Sequence, residues 1–291
     1  MKKIILLVGV LTIAVLVFLT VSKEGKTIKS VVTSYVATPS SLINKEGRTI
    51  KTRIKVPEAF TRILPEVQTF SHYIQNYELK EASAQVINYD GDPYIFQQGH
   101  VGVLEVPVPS NGLQQCADAL IRLRSEYLWS INKKDEIGFT FTSGHYCSWK
   151  KYAEGYRPKI NGNKVTFSKT AAANHSKENF YKYLNLIYTY AGTYSLSQEL
   201  KKVAIHSEIR IGDLLIYPGF PGHVMMVADI IENQQGERRF AFFQGNTPAQ
   251  SVHIIKNVSN TTMSPWYDLK GKTSLGTPIY TFSSFEMVRF K

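Results

Sequence analysis

The spacing of apolar residues along the chain predicts both helices and strands. From residue 113 to residue 127, apolar side chains recur every three or four positions, which is the spacing of one face of an α-helix. A second face of this kind runs from Phe180 to Tyr188. The last third instead contains short apolar runs between Gly- and Pro-containing turns, for example at 223–231 and 239–244, and such runs are typical of strands. We therefore predict an α+β fold.

Shorter patterns add three elements. Residues 49–56 alternate between apolar and polar side chains, which predicts a first strand. Asn161-Gly162 and Asp90-Gly91 each separate two strand-like segments, and both pairs favour the tight turn of a β-hairpin. No internal repeat and no second domain boundary is visible, so residues 46–291 are predicted to form a single domain.

The N-terminus differs from the rest of the chain. Lys2 and Lys3 precede an uncharged run of 18 residues, from Ile4 to Val21. A positive start before an apolar stretch is typical of an export signal, and this length also fits a minimal membrane span. For residues 1–21 a cleaved signal peptide and an uncleaved signal anchor both stay open, and residues 22–45 are predicted to be a flexible tether. Both alternatives predict an exported protein, in the periplasm or on the outer face of the cytoplasmic membrane.

Composition and charge narrow the function classes. Hydrophobic residues make up 43% of the chain, so a large core is available without a metal or disulfide. The net charge is +11, which favours anionic partners, but no nucleic-acid-binding motif accompanies it. We expect no nucleic-acid partner. The chain has only two cysteines and no zinc-binding spacing, so we expect no metal and no cofactor.

Three residues form a candidate catalytic constellation. Cys116 lies in the first turn of the predicted helix, where the helix dipole lowers a thiol pKa. His223 opens a strand and can take the thiol proton, and Gln244 ends the next strand and can orient the imidazole. We expect the Cys116 sulfur within about 4 Å of a His223 ring nitrogen, in a pair that opens onto a groove. The alternative is a structural Cys116, either buried or joined to Cys147 by a disulfide in an oxidising compartment.

Aromatic side chains raise a further possibility. Trp149, Tyr152 and Trp266 can stack on sugars, although packing in the core is their default interpretation. Asp213 is interpreted as closing the turn before its strand rather than as an acid–base group.

The constellation resembles the NlpC-type papain-like cell-wall peptidases. The resemblance is carried by Gly212-Asp213-Leu214-Leu215-Ile216-Tyr217 and Gly222-His223-Val224-Met225-Met226-Val227. It implies a papain-like core in which the helix carrying Cys116 packs on an antiparallel sheet, with His223 and Gln244 as the other catalytic residues. The chain departs from that pattern where Ala117-Asp118 replaces the usual Ser-Gly. The interval from Cys116 to His223 implies a large insertion around residues 130–205.

A second resemblance spans nearly the whole exported part. It is carried by Leu113-Gln114-Gln115-Cys116-Ala117-Asp118-Ala119, Tyr190-Ala191-Gly192-Thr193, Pro221-Gly222-His223, Gln244 with Thr247-Pro248-Ala249-Gln250, and Ser264-Pro265-Trp266-Tyr267-Asp268. These strings are similar to those of an uncharacterised family of exported bacterial proteins, domain of unknown function 4846. The similarity implies a fold and a location but no activity.

Together these features lead to one functional hypothesis and two alternatives. The hypothesis is a cysteine hydrolase of the cell envelope, peptidase- or amidase-like, or an acyl-transfer enzyme, with peptidoglycan peptide as the first substrate by analogy of fold. One alternative is a non-catalytic envelope module that binds glycan or peptide. The other is a lipid acyltransferase on the same fold. The expected partners are a cell-wall peptide or glycan, and the membrane through the N-terminal segment.

Overall fold

The computed structural model describes residues 41–204 and 206–291. The predicted signal segment 1–21, and all but the last five residues of the predicted tether 22–45, lie outside the described residues. Within the described ranges no helix is both long enough and apolar enough to cross a membrane.

Helices and strands alternate irregularly along the described chain. The α-helices are α1 (Ile50–Arg53), α2 (Phe70–Gln75), α3 (Cys116–Ser130), α4 (Trp149–Ala153), α5 (Lys177–Tyr190) and α6 (Thr193–Glu199). The strands are β1 (Phe60–Arg62), β2 (His100–Val103), β3 (Gly138–Thr140), β4 (Tyr146–Ser148), β5 (Tyr156–Asn161), β6 (Lys164–Lys169), β7 (Lys201–Lys202), β8 (Leu214–Tyr217), β9 (His223–Asn233), β10 (Arg238–Gln244), β11 (His253–Ile255), β12 (Leu275–Gly276), β13 (Thr281–Phe282) and β14 (Glu286–Arg289).

One eight-stranded antiparallel sheet organises the fold. Its strand order is β2-β11-β10-β9-β8-β14-β7, and β1 pairs with the far end of β9. Strands β8, β9 and β10 follow one another in the chain and are joined by turns, so they lie side by side. Two-stranded pairs form from β3 with β4, β5 with β6, and β12 with β13. The predicted α+β class with an antiparallel sheet is therefore confirmed.

Helix α3 packs across the centre of this sheet, against β9 and β10. The predicted apolar stripe is confirmed, and the helix begins at Cys116. Leu120, Ile121 and Leu123 are all fully buried, and burial of each such side chain contributes about 1.5–3 kcal/mol. Because α2 and α5 also contact α3, most of its circumference is enclosed rather than one face only.

The strand predicted at residues 49–56 is wrong. The segment forms one helical turn, α1, whose N-terminus is capped by the Thr49 hydroxyl accepting the Thr52 N–H at 3.2 Å. Ile50 and Ile54 are both buried. A spacing of four residues returns to the same face in a helix as well as in a strand, so the apolar pattern alone does not separate the two. The cap therefore decided the outcome.

The two predicted hairpins differ. The Asn161-Gly162 hairpin is confirmed as β5–β6, and Gly162 adopts the left-handed φ of 58° that its turn requires. Asp90-Gly91 also forms a turn, with Gly91 at φ 93°. Its flanks pair only through the isolated bridge between Ile87 and Pro93, because proline has no N–H to extend a ladder.

Candidate catalytic site

Cys116 is the first residue of α3 and follows an extended Gln115. Two side chains hold this helix entry. Asp118 Oδ2 accepts the Gln115 N–H at 3.0 Å, and the Thr247 hydroxyl donates to Gln115 Oε1 at 3.0 Å. The entry is thereby tied both to its own first turn and to the loop after β10.

The end of β10 lies directly against this helix entry at Gly245. A β-carbon added to Gly245 would lie 3.1 Å from the Gln115 carbonyl oxygen, 3.2 Å from Ala119 Cβ and 3.5 Å from Cys116 Cα. A β-carbon here would therefore require the helix entry to give way by a few tenths of an ångström. Gly245 therefore brings Gln244, its neighbour in the chain, close to the residue that carries the thiol.

His223 and Gln244 form a direct hydrogen bond. The distance from His223 Nε2 to Gln244 Oε1 is 2.8 Å, and the two side chains come from adjacent strands β9 and β10. Since the amide oxygen is an acceptor, Nε2 carries the ring proton and Nδ1 is left as a proton acceptor. The predicted pairing of His223 with Gln244 is thus present, with the tautomer that a general base requires.

The turn that precedes His223 is held by α6. The Thr193 hydroxyl donates to the Gly219 carbonyl at 3.3 Å. A β-carbon on Gly222 would lie 2.2 Å from Thr193 Oγ1 and 2.8 Å from each of the Tyr217 and Gly219 carbonyl oxygens. Glycine is therefore required at position 222 for the turn to pack on α6 and for β9 to begin at His223.

The start of β9 lies beside the thiol at Val224, the residue after His223. The backbone N–H groups of Ala117 and Val224 stabilise the Cys116 thiolate and so act to lower the pKa of the thiol. No hydrogen bond joins Cys116 to His223 within the described ranges. The predicted three residues therefore meet in one cluster, but the resting thiol does not donate to the imidazole.

The three side chains are almost inaccessible to solvent. Exposure is 7% for Cys116, 3% for His223 and 0% for Gln244. The rings of Tyr280 and Phe282 cover the imidazole, with centroids 4.6 and 5.6 Å from that of His223. Both belong to the segment that contains the β12–β13 hairpin, which the sequence analysis did not connect to the site.

Burial sets the charge state of the cluster. It raises the pKa of the Cys116 thiol to about 12, and the nearby Asp118 carboxyl acts in the same direction. Burial also lowers the pKa of His223 to about 4, although the hydrogen bond to Gln244 partly opposes this. At neutral pH the thiol is therefore protonated and the imidazole is neutral. The low thiol pKa predicted from the helix dipole is not present, because desolvation outweighs the dipole here.

Comparison with known families identifies the chain. The family model described as Domain of unknown function (4846) matches residues 50–289. The chain belongs to this family. No curated protein and no solved structure matches it.

The strings by which the family was predicted converge on the cluster in this member of the Domain of unknown function (4846) family. Cys116, Thr193 and His223 come from three different strings, and Gln244 and Thr247 come from a fourth. Thr247 contacts the residue before Cys116, and Thr193 holds the turn before His223. The fifth string has a packing role, because its Trp266 is buried and donates to the Lys55 carbonyl at 3.1 Å.

Two further histidines, the buried His253 and the partly buried His100, lie behind the cluster. His253 is paired with Gln244 across β10 and β11, and its Nδ1 lies 2.9 Å from the Ser251 carbonyl. Its ring centroid is 6.1 Å from that of His100. Burial lowers the pKa of His253 to about 4 and that of His100 to about 3, so both are neutral at physiological pH.

The remaining candidates are structural. Both cysteines are free, so the structure does not contain the Cys116–Cys147 disulfide that was one alternative for Cys116, and burial raises the pKa of the Cys147 thiol to about 12. Trp149 and Tyr152 belong to the core, so they are not available to stack on a sugar. Asp213 Oδ2 accepts the Arg210 N–H at 2.7 Å, which is the predicted turn-closing role.

The described residues contain no group of three or more His, Cys, Asp or Glu side chains able to hold a metal ion. Three surface cavities, of about 200 to 440 Å³, lie away from the cluster, since none is lined by Cys116, His223 or Gln244.

Sequence reasoning missed Gly245, Thr193 and Tyr280 as parts of the site. Thr193 stood in a family string without an assigned role, and Gly245 directly follows a predicted catalytic residue. Tyr280 had no local signal, since it reaches the site only through the fold.

Proposed function

We propose that the protein is a cysteine hydrolase or acyl-transfer enzyme of the cell envelope that uses Cys116, His223 and Gln244. The observation that carries the proposal is the 2.8 Å contact of His223 Nε2 with Gln244 Oε1. This contact leaves Nδ1 as the basic nitrogen of a ring that stands next to Val224, whose N–H favours the Cys116 thiolate. A nucleophile, a base and an orienting amide are thereby combined, as cysteine hydrolysis requires.

The arrangement of elements supports a papain-like core. Cys116 opens the helix that packs on the antiparallel sheet, and His223 and Gln244 stand on two neighbouring strands of that sheet. This order agrees with the resemblance to NlpC-type peptidases. The segment between Cys116 and His223 supplies two hairpins and two of the longer helices, in keeping with an insertion around residues 130–205.

The reaction begins from two neutral groups. As the Cys116 sulfur attacks a carbonyl carbon and forms the C–S bond, its proton passes to His223 Nδ1. The backbone N–H of Cys116 stabilises the developing oxyanion. His223 then gives the proton to the leaving amine as the C–N bond breaks. Attack of water on the thioester completes hydrolysis, whereas attack of another acceptor completes acyl transfer.

Gln244 acts by holding the imidazole rather than by exchanging a proton. It is fully buried, and its Oε1 accepts the Nε2 proton of His223. A neutral amide fixes the tautomer without adding a charge to a desolvated site, so the imidazole stays a usable base at acidic pH.

Substrate entry requires movement of Tyr280, the outer of the two rings that cover His223. Tyr280 is only half-buried, so it can be displaced with little loss of core packing. The hairpin that carries it is closed by Thr277, whose N–H and hydroxyl both contact the Tyr280 carbonyl at 2.8 Å. We infer that Tyr280 moves aside when substrate binds, while the fully buried Phe282 stays in the core.

Peptidoglycan peptide is the proposed substrate class. The support is the positively charged start and 18-residue uncharged run at the N-terminus, which favour export to the envelope, and the resemblance to cell-wall peptidases. An amide of a short peptide fits a site whose chemistry is carbonyl attack by a thiol.

A non-catalytic envelope module that binds glycan or peptide is the second candidate. Two observations favour it: Cys116, His223 and Gln244 are nearly inaccessible, and no thiol–imidazole hydrogen bond is present within the described ranges. In that case the cluster would stabilise the fold at the contact of α3 with β9 and β10.

Turnover by single-cysteine variants separates the two candidates. The full chain is incubated with muropeptides, and released peptides are quantified by mass spectrometry. We expect Cys116→Ala to reduce turnover by at least about 10³-fold, since removal of the nucleophile in such a constellation has effects of this order. Cys147→Ala is the matched control, because Cys147 is also buried, free and of similarly raised pKa. It should stay within about twofold of the parent.

Two other results would decide against catalysis. Equal turnover by the parent and Cys116→Ala would remove Cys116 from any mechanism. Binding of muropeptides with unchanged affinity by the parent and Cys116→Ala, without cleavage by either, would establish the binding module instead.

A further inference from the structure

More than half of the net charge of the protein lies in 33 residues. Between residues 150 and 182 there are eight Lys or Arg and two Glu side chains, a net charge of +6 out of +11 for the whole chain. The centre of this segment is the β5–β6 hairpin, residues 156–169, which we call the basic hairpin. These positive side chains are spread over strands and turns rather than forming one run in the sequence.

The pairing of the basic hairpin divides its side chains between two faces. Because Arg157 pairs with Ser168, Lys159 with Thr166, and Asn161 with Lys164, these six polar side chains share one face. All except the half-buried Arg157 are exposed. This outer face carries three positive charges and no negative charge.

The opposite face of the basic hairpin packs on the protein. It carries Val165, Phe167 and Ile160, which contact the core. Lys169 pairs with Tyr156 and is exposed at the edge of this face. Lys159, Lys164 and Lys169 form no ion pair within the described ranges, so nothing there offsets their charge.

An aromatic cavity of about 420 Å³ lies beside the basic hairpin. Its walls include Tyr146, Tyr152, Tyr156 and Phe167. Lys151 stands at this cavity with its Nζ 4.8 Å from the centroid of the Tyr156 ring. A surface with lysines next to a group of tyrosine rings, of which Tyr146 is exposed, is suited to the interface of a bilayer, where tyrosine lies at headgroup depth.

We propose that the basic hairpin and the adjacent aromatic cavity dock the protein on an anionic lipid bilayer. Charge complementarity over an extended face favours this partner, because the lysines meet phosphate headgroups and the tyrosine-lined cavity receives apolar acyl groups from the same layer. No base-stacking arrangement accompanies the lysines on the outer face, which bears Ser and Thr instead, so a nucleic acid is a poorer fit. This surface is distinct from the cluster around Cys116, and its role does not depend on catalysis.

Vesicle binding by the full chain tests the proposal. The Lys159→Glu/Lys164→Glu/Lys169→Glu variant is compared with the parent on sedimented vesicles of phosphatidylcholine alone or with about one-third phosphatidylglycerol. We expect the parent to prefer the anionic vesicles, and the variant to bind them about 100-fold more weakly, from loss of three surface lysines. Binding to neutral vesicles, which measures any contribution of the apolar N-terminal run, should not change.

The matched control reverses the same number of charges elsewhere. Lys45, Lys270 and Lys272 are exposed and lie outside the basic hairpin, and their triple Glu variant should stay within about threefold of the parent. The corresponding Lys→Gln variant of the basic hairpin serves if the Glu variant unfolds, as checked by circular dichroism. This Gln variant should also bind anionic vesicles more weakly than the parent, but by a smaller factor than the Glu variant.

Three results would overturn the proposal. An equal loss of binding to anionic vesicles in the hairpin and control variants would mean that net charge, and not the basic hairpin, determines the binding. Equal binding of the parent to neutral and anionic vesicles would exclude headgroup recognition. If the hairpin variant loses retention on heparin but binds anionic vesicles like the parent, the partner is a soluble polyanion rather than a membrane.

Discussion

Replacement of Asp118 by asparagine tests the electrostatics of the helix entry. Asp118 Oδ2 accepts the Gln115 N–H, whereas Oδ1 is buried without a partner among the described residues. Burial raises the pKa of this carboxyl from 3.8 to about 8. Asparagine keeps the shape and an acceptor oxygen but does not ionise, so Asp118→Asn removes the titration and little else.

The sign and size of the effect follow from this pKa. Between pH 3.8 and 8 the folded protein keeps the Asp118 proton while the unfolded chain releases it. Stability of the parent is therefore lost as pH rises through this window, by about 1.4 kcal/mol per pH unit. From pH 5 to pH 7 the cost is about 3 kcal/mol. The variant does not carry this cost, so its stability relative to the parent should increase by that amount.

Urea unfolding of the parent and Asp118→Asn at pH 5, 6 and 7 measures the difference. All other titrating groups are shared, so their contributions cancel in the comparison. A second readout is alkylation of Cys116 in a Cys147→Ala background above pH 8, where loss of the Asp118 charge should lower the thiol pKa and accelerate the reaction.

Parallel stability profiles would refute the reasoning, because they would mean that Asp118 does not change its protonation between the two states. A variant that loses stability relative to the parent as pH rises would mean that Asp118 is ionised when folded, and that the helix dipole rather than desolvation controls it.

Three further predictions concern the surroundings of the cluster. Tyr280→Ala should increase the rate of thiol modification at the cluster by about tenfold, measured with a chromogenic disulfide, and an unchanged rate would show that this ring does not cover the site. His253→Gln should lose about 3 kcal/mol less unfolding free energy than the parent as pH falls from 6.5 to 4, because the folded parent keeps His253 neutral while the unfolded chain protonates it. An equal shift of the urea midpoint in the parent and the variant between these pH values would contradict this. Gly222→Ala should destabilise by about 2–4 kcal/mol in urea unfolding through collision with Thr193, whereas at Gly192 an added β-carbon meets nothing within 4 Å and Gly192→Ala should have a much smaller effect.

Local patterns were sufficient for the longest elements. Helix α3 has an apolar residue at every turn over four turns, and the β8–β9–β10 meander has apolar runs separated by Gly-containing turns. The spacing of apolar residues in each therefore fits only one type of secondary structure. Residues 49–56 are different, because the spacing of Ile50 and Ile54 fits one face of a helix as well as one face of a strand. The Thr49 cap decides between the two. Short segments therefore need a cap or a partner strand to be assigned.

For the candidate site, too, the sequence predicted some features and not others. The sequence by itself determined that Cys116 begins a helix, that His223 and Gln244 stand on consecutive strands, and that family strings surround all three. It also predicted, from the helix dipole, a lowered pKa for the Cys116 thiol, whereas burial raises that pKa.

Only the tertiary structure decided the environment of that thiol. Tyr280 and Phe282 cover His223 from far along the chain, and burial moves the pKa of Cys116 upward and that of His223 downward. A pKa depends on every group that displaces water around an atom, and those groups are brought together by folding rather than by neighbourhood in the sequence. The sequence therefore indicated which residues belong to the site, whereas tertiary packing determined how far they are shielded from water.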